Sequence, residues 1–183
     1  MVLPDGLPIP EDDGGCDHLP SAEVPSVALP GTDGEVYDLR SLSGRTVVYA
    51  YPWTGRPGEP LLTESWDLIP GARGCTPETC GFRDHHAELA ALGARVFGLS
   101  TQETDYQREL AERLSLPFPV LSDARHDLTS ALDLPVLNAS GRTLLKRLTL
   151  VIADGKIEHV FYPVFPPDRH AGEVVSWLGE RSA

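Results

Sequence analysis

Two cysteines five residues apart, Cys75 and Cys80, occupy the stretch of the chain densest in chemically capable side chains, Pro-Gly-Ala-Arg-Gly-Cys-Thr-Pro-Glu-Thr-Cys-Gly-Phe-Arg-Asp over residues 70–84. A thiolate is a nucleophile where a thiol is not. A helix start favours the thiolate, because its unpaired N–H groups and the positive end of its dipole stabilise negative charge. Thr76-Pro77-Glu78 reads as such a start, with Thr76 as cap and Pro77 in the first helical position, and Arg73 adds positive charge nearby. Spacing alone would favour two unrelated core cysteines; the strand before them, the helix after them and Thr76-Pro77-Glu78 reverse that in favour of a reactive pair. Cys16 is the third of three cysteines, so at least one thiol is unpaired within the chain. Cys16-Asp17-His18 in a proline-rich segment reads as incidental. His85 and His86 are adjacent rather than four apart, which places them on a solvated helix face rather than in a zinc pair.

A reactive cysteine needs a rigid frame, and the flanking sequence supplies one. Ser26–Leu29 and Val36–Leu39 flank a turn-rich Pro30–Gly34 and read as a short hairpin. Thr46–Tyr51 is a β-branched and aromatic run expected of a central strand, and Arg95–Leu99 and Phe118–Leu121 are two more strands. Helical patterns cover Thr76–Gly93, Thr104–Leu114 with a capping box of Thr104 and Gln107, His126–Leu132 and Asp168–Gly179. Lys146–Ala153 and Lys156–Tyr162 meet at Asp154-Gly155, a dipeptide suited to a tight hairpin turn. Alternating strands and helices predict an α/β domain with a central mixed sheet flanked by helices on both faces. Its closing hairpin and helix resemble the thioredoxin pattern. Residues 1–23 read as a proline-rich acidic N-terminal extension, a tail or surface wrap, and 24–183 as the single domain.

Composition narrows the function classes. Fifteen basic against 27 acidic residues leave a formal charge of −12 over 183 residues. No positive field exists to attract nucleic acid or an anionic membrane surface. The longest apolar runs, Val47–Tyr51 and Leu150–Ala153, fall far short of the ~18 residues of a spanning helix. The acidic, proline-broken start has no export-signal pattern, so a cytoplasmic protein is expected, in a compartment that keeps thiols reduced. No Gly-x-Gly-x-x-Gly follows a predicted strand and no phosphate loop is present.

The segment Cys75-Thr-Pro-Glu-Thr-Cys80-Gly-Phe-Arg-Asp resembles the active-site segment of the peroxiredoxins, most closely the Q subfamily (bacterioferritin-comigratory type). Val48-Tyr-Ala-Tyr-Pro52, Gly98-Leu-Ser, Leu116-Pro-Phe-Pro-Val-Leu-Ser-Asp123 and Lys146-Arg-Leu-Thr-Leu-Val-Ile-Ala-Asp-Gly-Lys-Ile157 follow in family order. The resemblance runs from about Val24 to Leu178. It implies a thioredoxin-like fold and a thiol peroxidase that reduces hydrogen peroxide and organic hydroperoxides, without cofactor or metal, and is recycled by thioredoxin or a similar dithiol. By position, Cys75 would be the peroxidatic cysteine and Cys80 the resolving one, paired as a disulfide only in the oxidised form. Arg147 would stabilise the thiolate and the transition state, and Glu78 would orient Arg147. Backbone at Gly74 and the strand-end Pro52 would belong to the peroxide site. On a continuous helix, residues five apart are separated by roughly 7.5 Å of rise alone, beyond the ~7 Å limit for a bridge. Forming the disulfide therefore requires local unwinding, which Gly81 favours. A resolving cysteine in the same helix makes a dimer chemically unnecessary and favours a monomer.

The chain also departs from the family. The family threonine three residues before the peroxidatic cysteine is Ala72 here, and an insertion, Trp53 to Ile69, separates Pro52 from the cysteine. Thr54 or Thr63 is left to supply the hydroxyl, and Trp53 and Trp66 either line a peroxide channel or pack the insertion down. Arg147 as a surface cation and Glu78 as an ordinary first-turn acid are the plainer readings of those two residues. Two competing functions remain. One is a protein dithiol-disulfide oxidoreductase on the same fold; the other is a metal-binding module using Cys75, Cys80 and His159 or His170.

Overall fold

The computed structural model describes residues 3, 4 and 6–181; residues 1, 2 and 5 of the predicted extension and 182–183 of the predicted domain lie outside the described residues. In chain order the strands are β1 (Leu29–Pro30), β2 (Val36–Tyr37), β3 (Arg45–Ala50), β4 (Ala94–Ser100), β5 (Val120–Ser122), β6 (Val136–Ala139), β7 (Arg142–Leu145), β8 (Leu148–Ala153) and β9 (Lys156–Phe161). The helices are α1 (Cys75–Asp84), α2 (His86–Ala91), α3 (Thr104–Leu114), α4 (Asp127–Ala131) and α5 (His170–Glu180). The central sheet runs β5-β4-β3-β8-β9. β3, β4 and β5 are parallel, β8 runs antiparallel to β3, and β9 runs antiparallel to β8, which returns it to the direction of β3.

Alternation along the buried strands divides the core in two. Val47, Tyr49, Val96, Val120 and Val151 face Phe82, Leu89, Leu110, Val174 and Leu178 from α1, α2, α3 and α5. Val48, Ala50, Phe97, Leu99, Leu121, Leu150 and Ile152 face the opposite way, toward Leu128 of α4, Leu29 of β1 and the N-terminal segment. The chain therefore has a mixed α/β sheet with helices on both faces.

Several elements differ from the sequence expectation. The helix expected over Thr76–Gly93 is two helices that break at His85, and the first begins at Cys75 with Gly74 as its cap. Pro77 thus lies inside the first turn, where its missing N–H costs nothing. α3 has no capping box: Glu103 is the cap without a side-chain bond, and Gln107 is fully buried. The β6–β7 hairpin was not anticipated. Its turn, Ser140 (φ 48°) and Gly141 (φ 72°), has the same two-residue left-handed pattern as Asp154 (φ 48°) and Gly155 (φ 78°), where a hairpin was expected. The first hairpin is shorter than expected, two residues on each side.

The segment before residue 24 lies against the domain. Leu19 is fully buried and Cys16 nearly so, both within the core. Ser21 and Val24 donate to the carbonyls of Ile157 and Gly155 at 2.8 and 2.9 Å, covering part of the outer edge of β9. Asp13 carries this segment across to Lys146 (2.5 Å) and the Tyr162 hydroxyl (2.6 Å). Leu19→Ala should cost about 2–5 kcal/mol in urea unfolding, as for a buried leucine; an unshifted midpoint would show the segment to be a loose tail.

Candidate active site

The sheet register creates the site. Ala50, the last residue of β3, pairs with Leu148, the first of β8, so Tyr51 and Arg147 leave the sheet side by side. α1 starts at this same end and is pinned to the sheet by Phe82, whose ring stacks on Tyr49 at 4.3 Å and 9°. Its first residue is Cys75, 4% exposed. The turn into the helix passes through Gly74 at φ 104°, where a Cβ would fall 2.4 Å from Pro167 Cγ, so only glycine fits.

Arg147 organises this turn. Its Nη2 donates to Cys75 Sγ at 3.1 Å and to the carbonyls of Ala72 and Arg73 at 3.3 and 3.2 Å. Its Nη1 donates to Glu78 Oε2. Both side chains of this ion pair are buried, and such a pair is held only if its geometry is good, because desolvation opposes it. Arg147 is thus no surface cation, and Glu78 no exposed first-turn acid. The Cys75 thiol itself donates to the Ala72 carbonyl at 3.4 Å.

Burial is the largest influence on the Cys75 thiol and pushes it up. The Arg147 guanidinium and then the Trp53 backbone N–H pull it down, and the Glu78 charge pushes it up again. The balance lies above the ordinary thiol value. Arg73, expected to help, does not: its side chain pairs with Asp67 at 3.2 Å and only its carbonyl serves the site. Burial likewise pushes Glu78 up, against the pull of Arg147 and of His170. Cys16, by contrast, is pushed up to about 12 by burial and by Asp12, Asp13 and Asp17, which leaves it inert.

Cys80 is half-buried, in the same helix as Cys75, and both are free thiols. A cavity of about 390 Å³ opens over Cys75, lined by Trp53, Thr54, Leu62, Trp66 and Gly74 among others. Pro52 is buried beside it without lining it. Of the two hydroxyl candidates, Thr54 lines the cavity, whereas Thr63 is taken up with Ser65 at 3.2 Å. The insertion is anchored: Trp66 packs with Ala72, Ala139 and Leu144, and Ser140 Oγ donates to the Leu62 carbonyl at 2.8 Å. Trp53 and Trp66 therefore both pack and line. Sequence reasoning missed the β6–β7 hairpin that holds the insertion and the role of Gln102, which grips Thr54. The Ser-Gly turn between two apolar runs was the available signal for the hairpin.

Among the described residues no group of three or more His, Cys, Asp or Glu side chains is placed to hold a metal ion. His159 stacks on Trp177 at 4.6 Å and His170 contacts the Thr149 hydroxyl at 2.8 Å, which puts neither with the cysteines. His85 pairs with Glu88 at 3.1 Å on the exposed face. No helix among the described residues is long and apolar enough to cross a membrane.

A thiol held against a buried arginine at a helix start, on this sheet, defines a thiol-based redox protein of thioredoxin-like fold. The Redoxin family model matches residues 19–175. Peroxiredoxin Bcp of Escherichia coli strain K12 is 34% identical over 164 residues, covering 87% of this chain and 94% of that protein. The chloroplastic peroxiredoxin Q of Oryza sativa subsp. japonica is 30% identical over 157 residues, covering 85% of this chain and 64% of that one. The crystal structure of peroxidoxin BcpB from Mycobacterium tuberculosis superposes with a TM-score of 0.70 at 27% identity, covering 89% of this chain and 98% of that one. The chain belongs to the redoxin family, as a peroxiredoxin of the Q or Bcp type, and is a thiol peroxidase. The protein-disulfide oxidoreductase reading is accordingly not favoured.

Arg147→Met removes the cation that favours the thiolate, so the pH midpoint for Cys75 alkylation should move up. The rate with peroxide at neutral pH should fall by about 10²–10³-fold, as when a transition-state donor is lost. Alkylation and stopped-flow oxidation across pH measure both; an unmoved midpoint would remove Arg147 from the chemistry.

Proposed function

We propose that Cys75 is the peroxidatic cysteine and Cys80 the resolving one. The single observation that carries this reading is the 3.1 Å contact of the buried Arg147 with Cys75 Sγ, beside a cavity open to a small ligand. The Cys75 thiolate attacks the terminal oxygen of a hydroperoxide and the O–O bond breaks. The sulfur becomes a sulfenic acid, and the alkoxide or hydroxide leaves and takes up a proton. Arg147 and the backbone at Gly74 meet the negative charge as it develops, while Glu78 fixes the guanidinium. Thr54, in place of the absent threonine at position 72, offers the hydroxyl contact, and Pro52 shapes the strand end behind it.

Cys80 then attacks the sulfenic sulfur, releasing water and leaving a Cys75–Cys80 disulfide. Residues 75 and 80 share one continuous helix, so this step requires the first turns of α1 to unwind. A dithiol such as thioredoxin returns the pair to thiols in a cytoplasmic setting, and the enzyme works as a monomer because its resolving thiol is its own.

Intact mass after one equivalent of hydrogen peroxide should show the loss of two hydrogens in the parent protein and the gain of one oxygen in Cys80→Ser. Cys75→Ser should abolish turnover, and Cys16→Ser should leave it intact. Full turnover by Cys75→Ser would end this reading.

A further inference from the structure

The backbone that faces the Cys75 sulfur from the far side of the cavity has no strand to hold it. β3 ends at Ala50, and the last ladder-like bond beyond it is Tyr51 N–H to the Leu99 carbonyl at 3.1 Å. Trp53 and Thr54 follow, at the mouth of a long insertion. What fixes the backbone of Thr54 is one buried side chain, Gln102, 2% exposed, in the connection between β4 and α3. Its Oε1 accepts from the Thr54 N–H at 2.9 Å and from Thr54 Oγ1 at 3.1 Å, and its Nε2 donates to the Thr54 carbonyl at 3.0 Å.

Gln102 is itself held from the sheet. Its N–H donates to Ser100 Oγ at 3.0 Å, and its carbonyl accepts from Ser122 Oγ at 2.7 Å and Gln107 Nε2 at 2.9 Å. Ser100 and Ser122 are paired residues at the ends of β4 and β5. Tyr51 closes the network by donating to Gln107 Oε1 at 2.9 Å. Position is thus transmitted from two strand ends, through one amide, to a segment with no sheet pairing of its own.

We propose that Gln102 is a positioning residue of the peroxidase reaction, which by clamping Thr54 fixes the Trp53-Thr54 backbone where it lines the cavity with Cys75 and orients the Thr54 hydroxyl there. The Thr54 hydrogen is committed to Gln102, so this hydroxyl presents lone pairs to the cavity. It accepts the O–H of a bound hydroperoxide rather than donating to it. An amide is required because the clamp needs one donor and one acceptor on the same group. A carboxylate lacks the donor and sets negative charge against the Thr54 carbonyl; a thioether of similar shape lacks both.

The proposal rests on Cys75 being the peroxidatic thiol, and the test separates the two. In a Cys16→Ser, Cys80→Ser background, which leaves Cys75 as the only thiol, Gln102→Glu and Gln102→Met are compared with the parent. Two readouts are taken across pH: alkylation by iodoacetamide, which needs no peroxidase chemistry, and oxidation by hydrogen peroxide. Both variants should raise the alkylation midpoint and slow oxidation at neutral pH by roughly tenfold or more, the effect of losing a hydrogen bond at a charged group. The Glu-to-Met ratio of oxidation rates should rise as pH falls, because a protonated Glu side chain regains a donor for the Thr54 carbonyl. A purely structural role would lower the melting temperature without that pH signature. If the Gln102 variants do not fold, Thr54→Val should slow oxidation while leaving the alkylation midpoint in place. Folded Gln102 variants with the parent's midpoint and rate, or a Thr54→Val variant oxidised at the parent's rate, would overturn the proposal. A parent Cys75 that alkylates normally but is not oxidised would instead refute the peroxidatic assignment.

Discussion

One buried cation sets the terms for the rest of the molecule. The Arg147 guanidinium, out of contact with water, is shared between Glu78, the Cys75 sulfur and two carbonyls of the turn that precedes the helix. Leaving a charge of that kind uncompensated in a core costs several kcal/mol, so the turn, the helix start and the strand end must all arrive in register. The β3–β8 pairing delivers Arg147, Gly74 allows the chain to turn beneath Pro167, and Glu78 returns one helical turn after Cys75 to take the other side of the guanidinium. The negative sulfur is an alternative partner for the same cation. Thiolate formation and local folding are therefore coupled through one group.

That coupling meets an opposing demand. The two cysteines lie on one helix at a separation the helix cannot bridge, so chemistry that joins them must undo the structure that activates the first. α1 is only ten residues long and ends in a break at His85. Beyond Cys80 it is anchored to the sheet by Phe82, stacked on Tyr49. Unwinding can run from Cys75 through Cys80 while that anchor stays. On the proposed mechanism, the oxidised sulfur no longer offers Arg147 a thiolate, and one of the bonds holding the first turn weakens at the moment the turn must open.

The fold was legible where local pattern and burial agree. The central strands, the Asp154-Gly155 hairpin and the terminal helix follow from periodicity and turn chemistry, and the reactive segment follows from its cysteines and its likeness to a family. The misses share a cause, which is that tertiary partners are invisible in a linear pattern. Gln107 sits where a capping box would put it, yet it is drawn inward by Tyr51, Gln102 and Leu121. Arg73 is near Cys75 in sequence, yet Asp67 takes its side chain. Arg147, 72 residues from Cys75, meets its sulfur only because β8 lies beside β3. Pro52 falls at the strand end where the family resemblance places it, yet the chain buries it without its lining the cavity.

The central claim is that Glu78 and Arg147 act as one unit on Cys75, the carboxylate by fixing the guanidinium and not by any contact of its own with peroxide. A double-mutant cycle on the second-order rate of Cys75 oxidation tests it, using Arg147→Met, Glu78→Gln and the pair in protein shown to be folded. Residues acting as a unit are not additive. The double variant should be no slower than Arg147→Met alone; if the two losses multiply, Glu78 and Arg147 act independently and the account is wrong.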